Sequence, residues 1–486
     1  MDYKIKGYKP ESLFRFFEDI CAIPHGSGNE KALSDFLVDF AKKRGLWVYQ
    51  DEALNVVIKK PASKGAENAP TVMLQGHIDM VCEKLASVNH DFEKDGLDLI
   101  VQNGVLRANG TTLGGDNGVA VALMMTVLDD DSLIHPKLEC VFTTGEEVGL
   151  TGAHNLDKSI LDAKIMINMD SEDEGVGTVS CAGGMRYYML KTAQRENVQG
   201  FVLKLNIHGL LGGHSGMDID KERFNAIKLM GRVLNIVMKD FESKLVCFAG
   251  GTKDNAIPRE CEAQLLFNDK QTAEQAILKI KALACELENE IHSTEPNFAL
   301  DAQVSEQSVS LDVLSDNDSE NFVNAVCLAP NGVRHKNIKQ GGFVITSLNL
   351  GIADTNANPM RITFAPRSSV NSLQEETVQL LDILAQTFGF ETKITGRYPG
   401  WAFAEHSLVR DVFLKSYEKL FNAPMKIEAI HAGLECGLFS EAIDGLDAIA
   451  VGPSIYDCHT PDEHLMLDSF ERFYILLKDV LKSLAK

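Results

Sequence analysis

The stretch TVMLQGHIDM (Thr71–Met80) begins as an apolar run and ends in His77 and Asp79, one residue apart. The run reads as a buried strand. Strand side chains alternate with period two, so His77 and Asp79 should face the same side. An imidazole beside a carboxylate suits a metal ligand and the group that orients it. It equally suits a satisfied polar pair inside a core, because buried polar groups find partners. The rest of the chain decides between the two.

Outward from this strand, ESLFRFFEDICAI (11–23) and NEKALSDFLVDFAKKRG (29–45) carry apolar residues at helical spacing, and LWVYQDEALNVVIKK (46–60) reads as a hairpin. LECVFTT (138–144) and KIMINMD (164–170) are two further apolar strands, and GVAVALMMTVLDD (118–130) is an apolar helix. Helix HSLVRDVFLKSYEKLF (406–421), strand GLDAIAVGP (445–453) and helix DSFERFYILLKDVLKSL (468–484) resume the same alternation near the end. Strands interleaved with helices predict an α/β sheet. The middle differs. From Phe201 it reads strand, helix, strand, strand, helix, strand, a β-α-β-β-α-β order of ferredoxin-like pattern that recurs more loosely from Val309 to Thr395. Gly183-Gly184 and Gly396–Gly400 flank this region as hinges. The expectation is a discontinuous α/β catalytic domain, residues 1–184 and 399–486, with an inserted α+β lid domain over 185–398.

The composition narrows the functional classes. At ~150 residues per domain, 486 residues allow two to four domains. Hydrophobic content of 45% and charged content of 24% are those of an ordinary globular chain. A net charge of -22 repels nucleic acid and anionic membranes, so neither is expected as a partner. No run approaches the ~20 apolar residues of a membrane helix, and MDYKIKGYKPESLF lacks a signal-length apolar segment. Ten scattered cysteines with no CxxC pair fit reduced thiols in the cytoplasm, with packing as the expected role of Cys436 and Cys458.

Ligands of open α/β sheets gather beyond the carboxyl ends of strands. There the chain places His77 and Asp79, Glu146 and Glu147, Asp170, and, after strand 445–453, His459; Asp116 precedes the apolar helix. Taken singly, Glu146-Glu147 could be a helix first turn and Asp116 an N-cap. Their coincidence at every expected site position favours a metal centre. Histidine and carboxylate without thiolate suit zinc or a similar divalent ion, with cobalt or manganese as alternatives. Five candidate ligands exceed one tetrahedral zinc but suit two ions ~3.5–4 Å apart that share a carboxylate and a water. Of adjacent Glu146 and Glu147, one can be a ligand and the other a general base.

The motifs GHIDMV, LGGDNGVAVAL, TTGEEVGLTGA, NMDSED and CHTPDEH resemble those of the dinuclear zinc peptidases that include carboxypeptidase G, aminoacylase and the carnosinases, above all their aminoacyl-histidine dipeptidase branch. The likeness runs through essentially the whole chain, including HGLLGGHSGMDI and GGTKDNAIPRE. It implies that His77 and Asp170 hold one zinc, that Glu147 and His459 hold the other, and that Asp116 bridges both. It implies that Asp79 hydrogen-bonds His77, that a cis peptide follows Asp116, and that Glu146 takes a proton from the bridging water and passes it to the leaving amine. Within the insert it implies that His214 assists the oxyanion, that Asn255 and Arg367 hold the substrate carboxylate or the developing charge, and that HAGLECG (431–437) lines the substrate pocket. In that loop His431, Gly433 and Glu435 could touch substrate or serve the turn and packing. The activity implied is hydrolysis of dipeptides with an unblocked N-terminus, preferentially Xaa-His, carnosine included. An N-acyl amino acid amidohydrolase on the same metals and a catalytically dead binding protein on the same fold are the rivals. The partner implied is a small peptide substrate, and the insert could also mediate a homodimer.

Overall fold

The computed structural model describes residues 3–486, which form two compact units. The first comprises residues up to Cys181 together with Trp401–Ala429 and Leu434–Lys486; the second comprises Ala182–Gly400 and Ile430–Gly433.

The first unit is built on an eight-stranded sheet in the order Trp47–Gln50, Val56–Lys60, Leu138–Thr143, Val72–His77, Ile165–Asn168, Asp447–Ala450, Val176–Cys181, Lys426–Ile430. Strand Val72–His77 lies at its centre, parallel to Leu138–Thr143 on one side and to Ile165–Asn168 on the other. Asp447–Ala450 continues the parallel run beyond Ile165–Asn168, whereas the hairpin Trp47–Gln50/Val56–Lys60 adds antiparallel strands at the other edge. A parallel sheet is covered on both faces, which is why these strands read as continuous apolar runs instead of alternating ones. Helix Gly115–Asp129 is apolar all round and almost wholly buried; it packs on Val72–His77 and on helix Glu11–Cys21. Gly76 permits the approach, since a Cβ there would sit 2.4 Å from that of Ala120. The two closing helices, Leu408–Phe421 and Leu467–Leu484, contribute Phe413, Phe470 and Leu477 to the same core.

The second unit is a single ten-stranded sheet that the ferredoxin-like reading split into two loosely repeated halves. Strand Lys244–Gly250 pairs with Phe343–Asp354, which joins those halves into one sheet. The second half carries one strand more than that order, and Gly332–Asn337 pairs with Phe343–Asp354. Gly183-Gly184 do not form a free hinge. They open strand Gly183–Lys191 and pair with Ser368 and Arg367. A Cβ on Gly183 would meet the Gly400 nitrogen at 2.3 Å, so glycine is needed for close backbone approach.

Candidate metal centre

The three parallel strands deliver polar residues at one end of the sheet. His77 is the last residue of its strand, Glu146 and Glu147 follow Leu138–Thr143, and Asp170 lies two residues beyond Ile165–Asn168. Asp116 enters the apolar helix through a break in helical geometry at Asp116 and Asn117, and the peptide between them is cis, as expected. His459 sits in the loop after Ile455–Tyr456 with φ 63°.

These side chains converge. His77 Nε2 lies 3.1 Å from Asp116 Oδ1 and 3.4 Å from Asp170 Oδ1. His459 Nε2 lies 3.2 Å from Asp116 Oδ2 and 2.9 Å from Glu147 Oε1. Each oxygen of Asp116 therefore faces a different histidine, which divides the donors into two triads that share one carboxylate. Around a zinc-sized ion with bonds of ~2.0 Å, tetrahedral donors stand ~3.3 Å apart. The observed separations fall around that value, and neither triad contains a thiol. The donor set thus fits two divalent cations.

Asp79 lies two residues past the strand end, so strand alternation does not set its direction. The His77 Nδ1 faces the Asp79 carbonyl oxygen at 2.9 Å and its carboxylate at 3.4 Å, which leaves Nε2 for a metal. The Asp79 carboxylate also accepts from Ser27 Oγ at 2.8 Å and from the backbone nitrogens of Glu146 and Glu147 at 3.0 and 3.3 Å. It therefore aligns the histidine on one loop and the glutamate pair on the next. Burial would raise its pKa, but His77, Ser27 and the Glu146 N–H hold it below the usual carboxylate value.

The protonation states of the metal-free protein have a consequence. Burial works against a charged His77 ring, but Asp170, Asp116 and Asp79 outweigh it and push its pKa well up. Hydrogen bonds to Asp116 and Glu147 push His459 up to about 10. A cation reaches these nitrogens only when their protons leave, so its apparent affinity should increase with pH up to about 10, with protons released on binding. Calorimetry in buffers of different ionisation enthalpy reads that release; identical heats in every buffer would mean the rings are already neutral.

Several contributors escaped the sequence reading. Asn117 Nδ2 donates to Asp170 Oδ1 at 2.8 Å. Beneath the site, Gln75, Thr143 and Asn168 stand on the three ligand-bearing strands, and all three are buried. Gln75 accepts from Asn168 at 2.6 Å and donates to Glu435, which also accepts from Thr143 Oγ1 at 2.8 Å. Glu435 is 0% exposed and braces two of these strands through Gln75 and Thr143. Burial pushes its carboxyl up to about 7. Cys458 packs against the core as expected, yet its sulfur also groups with carboxylate oxygens of Asp116 and Glu172. Polar positions inside an apolar strand, such as Gln75 and Asn168, were the available signal for this layer.

In the second unit, His214 lies in the short strand Gly213–His214, opposite Ala256, and Ser215 N donates to Asn255 O at 2.9 Å, so the His214 and Asn255 segments are neighbours. The Nδ1 of His214 accepts from the backbone nitrogens of Gly216 and Met217 at 3.2 and 3.1 Å, which places the ring proton on Nε2. Burial and the charge of Arg367 lower its pKa, so the ring is neutral. Arg367 donates to Tyr398 Oη at 3.3 Å, while its Nε is buried without a protein partner. His431 hydrogen-bonds Ser347 Oγ at 2.7 Å, and burial with Arg367 pulls its pKa down to about 3. Gly433 lies against the Tyr398 ring, where a Cβ would come within 2.8 Å of a ring carbon.

The chain is 37% identical to the cytosol non-specific dipeptidase of Escherichia coli (strain K12) over 480 residues, 98% of each chain. The crystal structure of aminoacylhistidine dipeptidase from Vibrio alginolyticus superposes with a TM-score of 0.94 at 34% identity, covering 99% of this chain and 98% of the other. Aminopeptidase PepT from Bacillus cereus ATCC 10987, at 16% identity and a TM-score of 0.56, shares the fold. The model of peptidase family M20/M25/M40 matches residues 73–483, and the chain belongs to that family of peptidases.

Proposed function

We propose that the protein is a metal-dependent dipeptidase that cleaves dipeptides with an unblocked N-terminus, preferentially Xaa-His and carnosine among these, with zinc as the metal and cobalt or manganese as alternatives. The observation that carries this reading is the pair of histidine-containing donor triads sharing Asp116; Glu146 stands outside both, beside His77 and Glu147. The names of the relatives from Escherichia coli and Vibrio alginolyticus support the substrate class. When bound, the two ions lower the pKa of water and polarise the scissile carbonyl. His77 and Asp170 would hold one ion, Glu147 and His459 the other, and Asp116 would serve both. Glu146 takes a proton from the attacking water at its carboxylate and delivers it to the nitrogen of the leaving amine. Asp79 keeps His77 in the tautomer that leaves Nε2 free, and through the backbone it keeps Glu146 in place.

On the second unit, His214 is assigned to the oxyanion, a role that its neutral Nε2–H suits. Arg367 and Asn255 are assigned to the substrate carboxylate, with Gly433 keeping the neighbouring backbone unobstructed. We place the activity in the cytoplasm. All ten cysteines are unpaired, and among the described residues no helix is long and apolar enough to cross a membrane.

The test is hydrolysis of Ala-His, carnosine and N-acetyl amino acids by metal-stripped protein to which zinc, cobalt or manganese is restored. Metal-restored cleavage of the unblocked dipeptides is expected. Cleavage of the N-acetyl amino acids alone would replace the substrate class with the amidohydrolase reading.

A further inference from the structure

Glu463 is 2% exposed and carries a carboxylate with four donors. Its Oε2 accepts from the backbone nitrogens of Leu113 and Gly114 at 2.7 and 3.1 Å, and its Oε1 from those of Gly115 and Asp116 at 2.8 and 3.3 Å. These amides lead into helix Gly115–Asp129, where a helix offers its first N–H groups no internal partner, and where the helix dipole favours negative charge. The carboxylate comes from a loop about 350 residues downstream, four residues after His459. The turn between His459 and Glu463 is bonded to itself. Thr460 Oγ1 donates to Asp457 O at 2.7 Å, Asp462 N donates to Thr460 Oγ1 at 3.2 Å, and Glu463 N donates to Thr460 O at 3.1 Å. The following strand, His464–Met466, pairs with Val105–Ala108. A displacement of Glu463 is therefore transmitted to His459 at one end of the turn and to Asp116 at the other end of the clamp.

We infer that Glu463 is a positioning residue that locks the Asp116 loop to the His459 loop, so that two ligands of one ion stand ready before any ion arrives. The proposal rests on the reading of Asp116 and His459 as ligands of one ion. Asp116 also faces His77, so the clamp bears on both ions, but it bears most on the one at His459, whose loop it fixes as well. Loss of the clamp should loosen the cation at His459 more than its partner.

Two measurements test it. In metal-free wild-type protein, the amides of residues 113–116 should already be protected from hydrogen exchange, and in Glu463→Gln they should exchange at least about tenfold faster. The substituted carboxamide keeps the shape but turns an NH2 donor toward N–H groups. Glu463→Gln should keep one metal equivalent and bind the second about 10–100-fold more weakly, as losses behind a ligand typically do. Its kcat should fall with KM little changed, and excess metal should restore it, a rescue that a merely misfolded variant would not show. Rapid exchange of 113–116 in metal-free wild type would overturn the proposal, as would two equivalents held by Glu463→Gln at wild-type affinity. If wild type itself binds no divalent cation, the ligand reading fails, and the clamp is judged on exchange alone. If Glu463→Gln does not fold, wild-type exchange and Glu463→Asp, charged but one methylene too short, carry the same two arms.

Discussion

Glu146→Gln is expected to lower kcat by about 10²–10⁴-fold, the range that general acid–base catalysis supplies, while the protein keeps both metal equivalents. Of the adjacent glutamates, Glu146 is the one that belongs to neither of the two histidine-containing triads sharing Asp116. In the metal-free protein, burial and then the charges of Asp170, Glu435 and Glu147 push its carboxyl up to about 9, against the opposing effect of His77. At about 9 this carboxyl holds its proton at neutral pH in the metal-free protein, and two cations beside it would favour the ionised form that the transfer from water requires. Glutamine matches the volume and preserves the turn, whose backbone nitrogens are held by Asp79, but has no basic oxygen. The measurement is kcat and KM on Ala-His beside zinc content by mass spectrometry. Near-wild-type kcat with full metal would remove Glu146 from the role of base.

Asp116→Asn should be as severe for a different reason. Burial opposes a charge on Asp116, but hydrogen bonds from His459 and His77 hold its pKa far below the carboxylate norm. It is thus the shared anion between two histidine sites, with one oxygen 3.1 Å from His77 and the other 3.2 Å from His459. Asparagine keeps one acceptor and replaces the other with a donor that repels a cation. Losses of about 10–100-fold in affinity follow removal of partners behind a ligand, and removal of a shared ligand should exceed them. At least one of two metal equivalents should be missing after gel filtration, and added metal should not restore activity. Retention of both equivalents would show that the two histidine sites do not depend on this bridge.

These two expectations draw on parts of the protein that were unequally legible in its sequence. The buried parallel strands and the positions of His77, Glu146, Glu147 and Asp170 followed from local pattern. An apolar run announces a strand covered on both faces, and the loops at strand ends are where such sheets carry polar chemistry. The assignment of partners was not local. Which oxygen of Asp116 faces His459 depends on residues 343 positions apart. Asp79 reached the loop of Glu146 as well as His77, because it lies beyond the strand whose alternation was used to aim it. For Glu435 the loop motif left substrate contact and packing both open, and only the fold places it in a buried contact with Gln75 and Thr143.

By itself, then, the sequence determined the elements and the kinds of donor, because periodicity and residue chemistry act over a few neighbours. Only the tertiary structure decided how the donors divide into two triads, that Glu463 grips the entrance of a distant helix, and that the middle of the chain closes into one ten-stranded sheet. Those outcomes are set by hydrogen bonds and packing between segments far apart in the chain, and no local pattern encodes which distant segment will supply the partner.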